Sequence, residues 1–381
     1  MHRSSSRAQL QAMRKSPGMK IRPADMTHHS PYPVKISDNK KLVSIQYLRA
    51  CAALAVIVYH NFQGRLYGVA HYGQYGVDLF FVISGFLMMY LTEKETVTPS
   101  RFAADRLARI VPTYWVATSA WFLLTVYDDT FVYNPDASLS HFVLSLLFIA
   151  NPSESGRVYP TLYLGWILNY EMFFYTIFAL ILAISRTFRF EILAVVLVSL
   201  VVTGLTWSTN AGVSQFYTNP ILLEFLSGAA LGRFLGMDAR SRPPAAQVLA
   251  VLLAAAGLLL FSAFDHRLRW GAGSTIVLAG ALMLERSRAV VFLRPLFQIG
   301  NASYSIYLFQ DFGIYIVRSI QSAFHALDDE SSILHKTFPV LLCLSSLAGG
   351  LLAYRLVEKP ATRGARRVLS RMIRDPVRIG R

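Results

Sequence analysis

Charge is scarce in this chain of 381 residues, and acid is scarcer than base: 15% of the residues are charged, with 22 Asp and Glu against 37 Lys and Arg. A soluble domain carries about 25% charged residues, so this chain lacks the polar surface of an ordinary globular protein. Cysteine is nearly missing too. Cys51 and Cys343 both fall inside apolar runs, which excludes a disulfide framework and gives no metal-ligand spacing. There is no glycine-rich phosphate loop, no zinc spacing and no serine-hydrolase elbow. Residues 1–41 are polar and basic and hold no apolar core of the kind a cleavable signal peptide requires. No internal repeat and no separate soluble domain is evident.

What the chain has in abundance is apolar sequence, 54% of it. Runs of about 15 to 24 apolar residues recur almost throughout, the pattern of an all-α, polytopic transmembrane helical bundle. The predicted spans are roughly 43–63, 76–92, 110–127, 163–184, 190–208, 220–236, 246–264, 270–285, 297–320 and 338–357, about ten in all. The eighth is short and interrupted by Gly271, Gly273 and Gly280. His141 to Ala150 is too short to cross and reads as an interfacial or re-entrant helix. An even count puts both termini on one side. On this layout the tails and even-numbered loops hold 29 Lys and Arg, whereas the odd-numbered loops and their borders hold six: Arg65, Arg157, Arg267, Arg269, Arg318 and Lys336. The positive-inside rule then places both ends in the cytoplasm. It also accounts for the net charge of +15 through topology and anionic headgroups, not nucleic acid. The expected organisation is a disordered basic arm over 1–41, a membrane domain over 42–360 and a basic cytoplasmic tail over 361–381. The His28-His29 pair in the arm lacks further ligands.

Against that apolar background the ionisable residues stand out, because each costs roughly 2.5–3.5 kcal/mol near a bilayer centre and usually marks a site or pathway. Arg49 and His60 lie near opposite ends of the first span; eleven residues make about three helical turns, so both share a face about 16 Å apart. Asp78 opens the second span at a depth similar to that of His60. A carboxylate there either fixes a histidine's tautomer for general-base work or stabilises the start of its own helix. Glu171 lies within the fourth span, about 10 Å from its outer end, and needs a partner. Arg49 is one option, as part of a site or as an ion pair locking two helices. Arg106 and Arg109, three apart, are neighbours on a helical face. They suit either the phosphates of a cytoplasmic cosubstrate or lipid headgroups. Pro112 fits the first turn of the next span. Gly85, Ser227-Gly228 and Gly232 permit close helix approach. The run from Gly300 to Gln310 puts Asn301, Ser303, Tyr304, Ser305 and Tyr307 at the start of the ninth span, lining a polar cavity or joining helices. Glu224 and Glu358 read as structural or interfacial.

Taken together the segments resemble the acyltransferase-3 family of integral membrane O-acyltransferases. The resemblance covers about residues 42 to 360. It rests on Leu48-Arg49-Ala50 leading to His60; Gly76-Val77-Asp78-Leu79-Phe80-Phe81-Val82-Ile83-Ser84-Gly85-Phe86; Arg106-x-x-Arg109 with Pro112 and Tyr114; Trp166-x-Leu168-x-x-Glu171-x-Phe173-Phe174-Tyr175; Tyr304-Ser305-Ile306-Tyr307; and Glu358-Lys359-Pro360. The stretch around Asn169-Tyr170-Glu171 is similar to the branch that modifies bacterial exopolysaccharides.

The resemblance implies a multi-pass enzyme of the bacterial inner membrane that moves an acetyl or similar group from acyl-coenzyme A to a hydroxyl of an exported polysaccharide or its lipid-linked precursor. It implies that Arg106 and Arg109 contact the coenzyme phosphates and that Arg49 lines the channel. His60 is then the base or a transient acyl carrier, and Glu171 assists it or holds the acceptor. Asn169, Tyr170, Tyr304, Ser305 and Tyr307 are the expected substrate contacts. The expected partners are acetyl-CoA, the sugar acceptor and membrane lipids, with no metal, and self-association is left open. Where many relatives have a histidine after the Tyr-Ser-x-Tyr stretch this chain has Gln310, which cannot shuttle a proton near neutral pH. The rival expectation from another class is a transporter or flippase using the same polar stripe, for which paired broken helices and inverted repeats would be the signs.

Overall fold

The computed structural model describes residues 42–62, 70–127, 138–152, 158–207, 212–235, 268–287, 290–324 and 333–372, with single positions between 248 and 259. The arm over 1–41 and nearly all of the span expected at 246–264 lie outside the described residues. The membrane unit begins at Lys41.

Long apolar segments without surrounding water must satisfy their own backbone groups, and helices do this within one segment. The described residues accordingly form helices joined by short turns, with one isolated bridge, Pro152 to Val158, outside them. In chain order the helices are α1 (Val43–Asn61), α2 (Gly76–Lys94), α3 (Pro99–Tyr127), α4 (Leu139–Leu146), α5 (Trp166–Ile184), α6 (Arg189–Thr206), α7 (Gly212–Tyr217) and α8 (Leu222–Leu235). They continue with α9 (Leu268–Arg286), α10 (Arg294–Phe324), α11 (Ile333–Ala353) and α12 (Lys359–Met372). Among the described residues six helical segments are long and apolar enough to cross a membrane: Val43–Asn61, Ala70–Lys94, Pro99–Tyr127, Tyr163–Ile184, Arg189–Thr206 and Thr337–Met372. The chain is therefore an all-α, multi-pass bundle.

The helix ends follow from local chemistry. The Glu285 carboxylate, near the end of α9, accepts from the backbone N–H groups of Val43 and Ser44 at 3.1 and 2.7 Å, so a negative charge sits on the N-terminus of α1. The expectation that Pro112 opens a span is corrected. Thr98 caps α3, its hydroxyl accepting from the Arg101 N–H at 3.3 Å, and Pro99 takes the first helical position. Pro112 lies inside that helix, so Arg106 and Arg109 are carried on the same continuous helix as the apolar run that follows them. The short segment expected from His141 to Ala150 is a helix of 8 residues, Leu139–Leu146, capped by Ser138.

The packing of α2 on α8 needs small residues. A Cβ added at Gly228 would lie 2.8 Å from the Val82 carbonyl carbon and 2.9 Å from the Phe86 nitrogen. Without it the two backbones meet directly, as membrane interfaces driven by van der Waals contact require. Gly300 does the same for α10 against α1, its missing Cβ leaving room for the Gln46 carbonyl. The second contact sets the register of the two helices that carry Arg49 and Ser303.

Candidate functional site

The site is two cavities along α1. The first, of about 50 Å3, is bordered by Arg49 from α1, Ser84 from α2, Arg106 and Arg109 from α3, and Glu171 and Tyr175 from α5, with Ser303, Tyr304 and Tyr307 from α10. The second, of about 110 Å3, is bordered by Tyr59 and His60 from α1, Asp78 from α2 and the turn Tyr75, with Tyr163 and Trp166 at the head of α5. The spacing of Arg49 and His60 puts about 16 Å of helix between the two markers.

In the arginine cavity Arg49 and Arg106 are held by a hydroxyl and by aromatic rings, not by ion pairs. The Arg49 Nε donates to Ser303 Oγ at 3.0 Å. The Arg106 guanidinium lies over the rings of Phe102 and Tyr175, 5.7 and 6.0 Å from their centroids, and its Nε has no hydrogen-bond partner. The Glu171 carboxylate accepts from Ser84 Oγ at 2.9 Å and from the Tyr175 hydroxyl. Arg49 and Glu171 border the same cavity without forming an ion pair, so the expected partnership is corrected to a shared field: Arg49 senses the charges of Arg109, Glu171 and Glu358. Glu358, read from sequence as structural or interfacial, is 8% exposed and accepts from Ser305 Oγ at 2.5 Å. It stands at the end of a five-residue π-helical turn, Tyr354–Glu358, a rare local winding that is frequent at functional sites. Three arginines and one carboxylate, Glu171, thus border the cavity, so positive charge is in excess on its lining, with Glu358 acting on Arg49 from beyond it.

His60 and Asp78 are brought together, both bordering the second cavity. Asp78 is buried in the first turn of α2, beyond the capping residue Tyr75. It therefore both stabilises the helix start and faces the histidine's cavity. The His60 ring packs edge-on against Tyr59, with centroids 5.2 Å apart. Glu171 is not in this cavity; it belongs with the arginines.

Tyr304 and Tyr307 are positioned by backbone carbonyls. Their hydroxyls donate to Ile110 O at 2.9 Å and to Leu164 O at 3.0 Å. Three expected substrate contacts line neither cavity. Ser305 is buried and bonded to Glu358. Asn169 and Tyr170 are buried on a different face of α5, since Leu168, Glu171 and Tyr175 take the cavity face and successive residues turn by about 100°. The Tyr170 ring stacks on Phe216 at 3.9 Å. The sequence reading gave Tyr175 and Ser84 no role of their own, held Ser303 only as a cavity-lining or helix-joining group, and read Glu358 as structural or interfacial. Of the first two only Tyr175 carried a signal, one helical turn from Glu171. Gln310 is fully buried off both cavities, and neither of its amide atoms has a hydrogen-bond partner.

Comparison with known proteins accords with this arrangement. The sequence profile of the family described as Acyltransferase domain matches residues 42–355. The exopolysaccharide production protein ExoZ of Rhizobium meliloti is 34% identical over 307 residues, 77% of this chain and 91% of that protein. BcsY of Komagataeibacter xylinus, named as a candidate membrane-bound transacylase, is 32% identical over 292 residues, covering 71% of this chain and 72% of its own length. A candidate O-acetyltransferase of Staphylococcus aureus is 28% identical over 304 residues, 68% of this chain and 48% of that protein. No solved structure matches. The transporter expectation gives way to an enzyme, and the chain belongs to the acyltransferase-3 family of membrane O-acyltransferases.

Proposed function

We propose that the protein moves an acetyl or similar acyl group from cytoplasmic acyl-coenzyme A to a hydroxyl of an exported or cell-surface polysaccharide, or of its lipid-linked precursor, in the bacterial inner membrane. The observation that carries the reading is the order of chemistry along α1: an arginine cavity with an excess positive charge, then a cavity holding a histidine and a carboxylate. Guanidinium forks bind phosphate oxygens in pairs, so Arg106 and Arg109 take the donor's phosphates with Arg49 deeper on the path. At the other end the His60 imidazole removes the proton of the acceptor hydroxyl, and Asp78 fixes the ring's tautomer. The hydroxyl oxygen attacks the thioester carbonyl, the C–S bond breaks, and the thiolate recovers the proton from the imidazolium. Glu171 acts on the donor side. It holds the Tyr175 hydroxyl, and the Tyr175 ring carries Arg106. The polysaccharide acceptor is supported by the kinship with a protein of exopolysaccharide production. Cytoplasmic termini are supported by the basic tails and even-numbered loops of the ten-span layout.

The test is His60→Ala in cells, with surface-glycan acetyl content measured by mass spectrometry. Acetylation falling to the level of a strain lacking the gene is expected. Undiminished acetylation in a well-expressed variant overturns the catalytic role.

A further inference from the structure

The two cavities are separate, although the proposed reaction requires a thioester anchored in one to meet a histidine in the other. Among the described residues a single side chain borders both: Tyr307. It is 5% exposed, its ring meets Phe80 edge-on with centroids 6.4 Å apart, and its hydroxyl donates to the Leu164 carbonyl at 3.0 Å. Leu164 itself borders the histidine cavity, within the turn Tyr163–Gly165 that leads into α5. The phenol of Tyr307 is therefore pinned across the route by a neutral bond, from one long helix to the head of another.

We propose that Tyr307 is the septum of the transfer path: closed, it keeps water of the histidine cavity from the thioester in the arginine cavity, and it swings aside when the acyl end passes to His60. The inference rests on the acyl-transfer reading above. Several features of the site favour this role. Among the described residues the Tyr307 hydroxyl makes one hydrogen bond, a neutral one, and the Asp311 charge four positions along the same helix acts on it only through space. Such a bond contributes modestly, so its removal raises an open population by roughly fivefold, not by orders of magnitude. Empty space lies on both sides of the ring, about 50 Å3 and about 110 Å3, which gives it somewhere to turn. Both spaces exceed the roughly 10–15 Å3 needed to admit a water molecule. An unguarded thioester would then meet water before sugar. In that side reaction water attacks the acyl carbonyl, the C–S bond breaks, and acetate and free coenzyme thiol are released.

The experiment compares the full-length protein with Tyr307→Phe and Tyr307→Ala in nanodiscs, given acetyl-CoA and no acceptor, with free thiol release followed by a chromogenic disulfide. Release is expected to rise about fivefold in the Phe variant and further in the Ala variant, while glycan acetylation in cells falls. A second measurement does not depend on the donor. Ser84→Cys, placed in the arginine cavity, is labelled by a membrane-impermeant maleimide added outside intact cells, with and without Tyr307→Ala. A rise of fivefold or more in labelling is expected. Equal labelling overturns the septum. Increased labelling in a protein that binds no acetyl-CoA upholds the septum and overturns the acyl-CoA reading instead.

Discussion

Replacing Arg106 tests the donor site more sharply than removing any other residue, because its surroundings let charge and shape be separated. The guanidinium lies on the rings of Phe102 and Tyr175 and leaves its Nε unpartnered. A phosphate that completes this group gains a charge-assisted hydrogen bond, about 1.5–3 kcal/mol. Arg106→Ala should therefore weaken acetyl-CoA binding by about 10- to 150-fold, at 1.4 kcal/mol per tenfold. Arg106→Lys keeps the charge and loses the flat fork that stacks on the rings. Its loss should be smaller, near tenfold, from roughly 1–1.5 kcal/mol of stacking and geometry. The readout is the thermal midpoint of the purified protein titrated with acetyl-CoA, since a ligand at 100 times Kd stabilises by about 2.7 kcal/mol. Both variants should unfold near the wild-type temperature without ligand and need higher concentrations to be stabilised. If the titration midpoints of both stay within twofold of wild type, Arg106 belongs to the lipid interface and the donor assignment fails.

Two further outcomes concern the scaffold. Gly228→Ala places a methyl group against the Val82 and Phe86 backbone, and overpacking of that kind costs about 1–3 kcal/mol; the thermal midpoint should drop, whereas Gly280→Ala, where an added Cβ meets nothing within 4 Å, should leave it alone. Equal midpoints would mean that α2 and α8 do not rely on backbone contact. Gln310→Met exchanges a buried amide without partners for an apolar group of similar size, so thermal stability should rise by about 1–3 kcal/mol; a fall would reveal a buried polar partner for the amide.

Much of this architecture was legible because the apolar runs are bounded by polar clusters. The ends of α1, α2 and α6 lie within about two residues of the sequence boundaries and those of α5 within three, as is usual for helix ends. The start of α3 was not legible: Arg101, Asp105, Arg106 and Arg109 lower the local hydropathy, so the first eleven residues of a 29-residue helix fell outside the expected span. Arg49 and His60 were legible as a pair, since eleven residues on one helix fix their relative depth. The partners of Glu171 were mixed. Tyr175 is one turn away on the same helix, but Ser84 is 87 positions distant, and only the folded bundle brings it near. Glu358 was hidden for the same reason, since its bond to Ser305 spans 53 positions. Asn169 and Tyr170 were drawn into the site by adjacency to Glu171, and helical periodicity turns them out of it.

The helix that organises the site is one whose mean hydropathy understates it. At 31 residues α10 is about 46 Å long, enough to cross a bilayer core of about 30 Å. Yet it is absent from the six segments that are long and apolar enough to span. Its apolar share is reduced by the groups that build the site. Ser303 meets Arg49, Tyr304 meets α3, Ser305 meets the π-helical turn at Glu358, and Tyr307 meets the turn before α5. Those polar residues are buried, while Ile316 and Ile320 on the same helix are more than half exposed. The arrangement is the reverse of a soluble helix, and it answers the cost of polar groups in lipid by turning each one toward a partner inside the bundle. Four elements converge on this one helix at four different hydroxyls. A shift of α10 by a single turn would therefore unseat the arginine cavity, the septum and the π-helical turn together. The polar run that makes α10 read poorly as a membrane span thus fixes its register, and with it the alignment of the two cavities.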